Sequence, residues 1–112
     1  MRIKILVLTI LFNLTNISCK AQCNNELAIK QFEKDLDAIT HSIKDSNANL
    51  KDIPSIVERI ESVSSIESES DGNYLGKFHP TMSDVIKWKD WLKDHRAKLC
   101  WDEKKNSYLL IE

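Results

Sequence analysis

Glycine and proline are scarce, with two of each in 112 residues. An all-β sandwich needs a tight turn roughly every ten residues, so that architecture is excluded. No charge of one sign dominates: 16 Lys and Arg stand against 17 Asp and Glu, net −1. The chain therefore lacks the basic field of a nucleic-acid binder, and no nucleic-acid partner is expected. No apolar run reaches the ~20 residues of a membrane-spanning helix. The longest, Ile5 to Leu14, is broken by Thr9 and Asn13. Gly-x-Ser-x-Gly, His-Glu-x-x-His and the phosphate-binding P-loop do not occur, so no enzyme class and no cofactor is indicated. The three histidines, His41, His79 and His95, are scattered. His95 and Cys100 supply two of the four ligands a structural zinc usually has, so no metal site is expected.

What is present is the composition of one globular domain, 42% apolar and 29% charged. Its first eighteen residues differ from the rest. Arg2 and Lys4 precede the apolar run, and no acid occurs before Glu26. That is the tripartite pattern of a secretory signal. The residues Asn16-Ile17-Ser18-Cys19 resemble the lipobox of bacterial lipoproteins, with Asn16 standing where that family usually has Leu. The resemblance implies that Cys19 becomes the lipid-bearing first residue and that the domain's first partner is a membrane. The rival cut follows Cys19-Lys20-Ala21, a small-x-small site that would release a soluble protein. The expected organisation is a signal helix at 1–18 and a small helical domain at 19–112. Without residues 1–18 the chain keeps 14 bases and 17 acids, net −3.

Three cysteines make an odd count. Either cut leaves Cys23 and Cys100 as the pair to be explained, in a compartment where disulfides persist. A bond between them would join the start of the first helix to the end of the last. In the chain-entropy account it would add roughly 4 kcal/mol. Two separate free thiols are the alternative.

Periodicity predicts a mainly α fold, three helices and a small C-terminal β-hairpin. Ile29, Phe32, Leu36, Ile39 and Ile43 form one stripe of a first helix from Asn25 to Asp45, with Lys30, Lys34, Asp35 and Lys44 off it. Asn24 or Asn25 can cap its start. A second helix begins near Pro54 and buries Ile53, Ile56, Val57, Ile60 and Val63, fraying after Ser64. Residues 67–80 read as a polar loop whose Tyr74, Leu75 and Phe78 fold back on the helices. Thr81-x-x-Asp84 is a capping box with Asp for Glu, opening a third helix with Val85, Trp88, Leu92, His95 and Leu99 along one side. Trp91 lies one position off that stripe. Leu99-Cys100-Trp101 and Tyr108 to Ile111 flank a polar stretch and read as the hairpin.

The stretch Pro80-Thr81-x-x-Asp84-x3-Trp88-x2-Trp91, through Leu99-x-Trp101, resembles the terminal segment of bacterial helical-repeat proteins of the HEAT kind. That resemblance implies an interaction scaffold rather than an enzyme. Six of the eight aromatics lie between Tyr74 and Tyr108, and tryptophan is enriched at interfaces. Trp91 is therefore the candidate partner anchor. Glu67-Ser68-Glu69-Ser70-Asp71-Gly72 imitates the opening of a calcium loop, but Phe78 stands where that loop needs a bidentate Glu. Glu67, Glu69 and Asp71 are instead candidates to be read by a partner's charge. The leading reading is an exported, membrane-tethered lipoprotein that binds or inhibits an unknown protein, as an immunity protein does. An envelope structural or cation-binding factor using the acidic loop is the alternative, and a small hydrolase the third.

Overall fold

The computed structural model describes residues 23–70, 72 and 75–111. The signal segment, Cys19, Asp71 and Tyr74 lie outside the described residues. Three helices precede a two-stranded antiparallel hairpin: α1 (Asn25–Lys44), α2 (Ile53–Ser64), α3 (Met82–His95), a 3-10 turn (Arg96–Lys98), β1 (Leu99–Asp102) and β2 (Ser107–Leu110). The mainly helical class is the one the periodicity predicts.

Each boundary has a local cause. The Asn24 side chain accepts from the Leu27 N–H at 3.0 Å and caps α1. Asn25 takes another role, donating its amide to the Arg96 and Leu99 carbonyls at 2.6 and 2.8 Å, which ties the start of α1 to the 3-10 turn and the start of β1. The linker to α2 is folded by side-chain turns: Asp45 accepts from the Asn47 N–H and Asn49 from the Lys51 N–H, both at 2.9 Å. Pro54 sits in the first turn of α2, where a missing N–H costs nothing. Ser65, at φ 58°, ends that helix in the left-handed conformation. Thr81 and Asp84 form the full reciprocal capping box at the start of α3. In the hairpin turn Asp102 accepts from the Lys104 N–H at 3.1 Å, and Asn106 takes φ 51°, a conformation Asn tolerates.

The core gathers Phe32, Leu36 and Ile39 of α1, Ile53, Val57 and Ile60 of α2, Val85, Trp88 and Leu92 of α3, and Leu99 and Tyr108 of the hairpin. One predicted stripe is rotated and another is widened. On α1 the buried positions are Ala28, Phe32, Asp35, Leu36 and Ile39, while Ile43 is 37% exposed and Ile29 only half-buried. The cause is tertiary: α1 meets α2, α3 and β1 together, so its contact face is set by three neighbours rather than by the apolar residues alone. On α3, Trp91 is buried together with Trp88 because that helix packs against both α1 and α2 and needs a wide face.

The loop between α2 and α3 folds back, but not through Leu75; Tyr74 lies outside the described residues. Leu75 is 63% exposed and Phe78 is half-buried. Ser68 and Pro80 are the buried residues instead. Gly76, at φ 115°, lies so close to α2 that a Cβ there would stand 2.6 Å from Pro54 Cβ. Only glycine fits that approach.

Candidate functional site

Among the polar residues buried in the domain are Asp35, Ser64, Ser68 and Asp84. Ser64 bonds its own helix, donating to the Ile60 carbonyl at 2.7 Å; the other three fall into two clusters, and neither aspartate was marked as buried by the sequence.

The first cluster joins three elements. Arg59 of α2 sends Nε to Asp35 Oδ2 at 2.7 Å and Nη2 to Asp35 Oδ1 at 2.5 Å, the two-pronged geometry that suits a guanidinium to a carboxylate. Tyr108 of β2 donates its hydroxyl to Asp35 Oδ2 at 2.5 Å, and Gln31 donates to Oδ1 at 2.9 Å. The guanidinium also lies 5.7 Å from the Trp101 ring centroid, within cation–π range. The hydrogen bond to Asp35 raises the Arg59 pKa against the opposing effect of burial. Burial, reinforced by the Asp35 charge, pushes the Tyr108 phenol well above its usual range. It therefore stays a protonated donor and is no general base. A groove of about 520 Å³ between α1 and α2 runs over this cluster, lined by residues including Ala38, Ser42, Asn49 and Ile56. Its floor is occupied by groups already paired with each other, and no buried side-chain nitrogen or oxygen among the described residues lacks a partner. The cluster is a clamp that pins the hairpin to two helices.

The second cluster folds the loop. Asp84 accepts from the Ser68 hydroxyl at 2.5 Å and from the Glu69 and Thr81 N–H groups, both at 2.9 Å. Burial alone would raise its pKa. The hydrogen bonds from Ser68 and the Thr81 and Glu69 backbone outweigh it, so the carboxyl titrates below its usual range. Glu61 accepts from the Ser68 N–H and from Lys77 Nζ, both at 2.7 Å. The Trp88 indole donates to the Ile66 carbonyl at 3.0 Å.

The residues singled out in the sequence are dispersed. Cys23 and Cys100 are bonded, with Cα atoms 5.3 Å apart and 77 residues between them in sequence. The bridge ends on the first strand of the hairpin, however, and not on the last helix. Glu67 is exposed, while Glu69 pairs with Lys87 at 3.0 Å. Among the described residues no group of three or more His, Cys, Asp or Glu is placed to hold a metal ion. Trp91 is not a surface anchor: it is 9% exposed, stacked on Phe32 at 5.6 Å and on His95 at 4.4 Å between centroids. The His95 ring in turn donates Nδ1–H to the Trp91 carbonyl at 2.7 Å.

Signals for the missed residues exist. Arg59 is the lone base among six acids between residues 52 and 71. Asp35 falls three residues after Phe32 and four before Ile39, which is a core spacing. Comparison of the chain with protein-family models, with curated proteins and with solved structures finds no match.

Proposed function

We propose that this protein is a small exported lipoprotein, held to an envelope membrane through Cys19, that binds a partner protein and acts as a masking or inhibitory module. The Cys23–Cys100 bridge carries the reading, because such bonds persist in oxidising compartments outside the cytosol. It fits the signal-like head of the sequence, and it begins four residues after the lipobox-like Cys19. A disulfide-closed domain whose buried polar groups are mutually satisfied also loses little freedom on binding.

With Trp91 in the core, charge supplies the recognition surface. Glu58, Glu67 and Glu69 are exposed on α2 and the loop that follows it. They favour a partner with a basic face. Two arms test the reading. Cys19→Ser is expected to move the protein from the membrane to the soluble fraction. In-cell cross-linking of the wild type is expected to yield one discrete partner, lost in the Glu67→Lys/Glu69→Lys variant. A wild type found in the soluble fraction would remove the anchor. A cross-link unchanged by charge reversal would remove the acidic surface.

A further inference from the structure

We propose that the outer face of the hairpin, built on Leu109 and Ile111, docks on the same bilayer that anchors Cys19. This rests on the lipid-anchor reading above and adds an orientation to it. Leu109 pairs directly with Cys100 across the hairpin, so the two side chains share a face. Ile111, two residues on, returns to that face, and its N–H bonds the Lys98 carbonyl at 2.9 Å. The opposite face carries Leu99 and Tyr108 into the core and leaves Leu110, the partner of Leu99, 40% exposed at its end. Leu109 and Ile111 are left 46% and 49% exposed beside the disulfide.

The tether decides what covers them. Three residues separate Cys19 from Cys23, a span of at most ~14 Å between their Cα atoms. Cys23 is in turn 5.3 Å from Cys100, the direct neighbour of Leu109. Acyl chains on Cys19 therefore enter the bilayer within a short reach of this face. The competing surface beside Cys23 is the start of α1, where Asn24 and Glu26 are exposed and the apolar Leu27 and Ile29 are half-buried, less open than Leu109 and Ile111. At the hairpin end the exposed Lys98 adds positive charge next to the apolar pair, while Arg96 is paired with Glu33 at 3.8 Å. Two half-exposed aliphatic side chains at an anchored interface suit insertion at headgroup depth.

The test uses the full exported chain, reconstituted in vesicles of phosphatidylethanolamine and phosphatidylglycerol, with amide exchange read by mass spectrometry. Exchange over 107–111 is expected to slow about tenfold on vesicles relative to the Cys19→Ser protein in solution. The Leu109→Ser/Ile111→Ser variant, checked to melt as the wild type does, should stay on the vesicles and lose the slowing. Intact mass separates the two ways of failing. An acylated protein with no slowing overturns the docking while the anchor stands. A protein without acyl mass overturns the anchor and the docking with it. Equal slowing in vesicle-free protein that sediments as a dimer would mean that a second copy covers the face, and overturns the proposal.

Discussion

Asp35 and Asp84 are both sealed from solvent, and the protein meets their charge in opposite ways. Asp35 receives a guanidinium from 24 residues away and a phenol from 73 residues away, each on a different element. Among the described residues no cation bonds Asp84 directly; its donors are a hydroxyl and backbone N–H groups no more than 16 residues distant, at a helix N-terminus that favours negative charge. The first carboxylate is a tertiary device that assembles α1, α2 and the hairpin. The second is a local device that folds one loop against one helix start. A buried acid can thus be made to report on the whole domain or on a single segment, according to where its donors originate.

The sharpest way to break the contrast is to remove the cation alone. Arg59→Leu leaves Asp35 buried with its Tyr108 and Gln31 donors but without a cation, and is expected to cost about 3–5 kcal/mol in denaturant unfolding. The double variant Asp35→Leu/Arg59→Leu should recover much of that loss, since the desolvation of both charges disappears with them. A single variant as mild as Ser68→Ala would show that the clamp holds nothing together.

Trp91→Ala is expected to cost about 3 kcal/mol or more, close to Trp88→Ala, because both indoles fill the core. Thermal melts that leave Trp91→Ala near wild type would return Trp91 to the surface.

The pH limbs should separate the two clusters. Tyr108 has its folded pKa raised above the unfolded value near 10. Its contribution is therefore complete below pH ~10 and is lost as pH rises further. The stability gap between wild type and Tyr108→Phe, about 1.5–3 kcal/mol at neutral pH, should narrow in alkali. Asp84 has its folded pKa lowered. Its contribution is present above the unfolded value near 4 and is lost as pH falls below it. Ser68→Ala, the smallest effect at about 1 kcal/mol, should converge on wild type as pH falls below that unfolded value and through the lowered folded one. Equilibrium unfolding across pH checks both, and a gap that stays constant at either end contradicts the corresponding assignment.

The helices, the capping box and the hairpin were legible because each rests on near neighbours in sequence. Thr81 and Asp84 are three residues apart, and the apolar positions of α2 repeat at helical spacing. The clamp was not legible, because an aspartate on a helix reads as solvated until a specific arginine and tyrosine are brought to it. Trp91 was misplaced for a related reason. One stripe predicts one neighbour, and α3 has both α1 and α2 against it. Leu75 errs the other way: an apolar residue in a polar loop invites burial, but Ser68 and Gly76 hold that loop through hydrogen bonding and close approach to Pro54.

The proposal that this disulfide-closed domain is exported is tested most directly by peptide mapping of the native protein under non-reducing conditions. The expected result is a single linked Cys23–Cys100 peptide pair, with Cys19 acylated at the mature N-terminus. Two free, alkylatable thiols at Cys23 and Cys100, or a mature chain that begins at Gln22 without acyl mass, would contradict it.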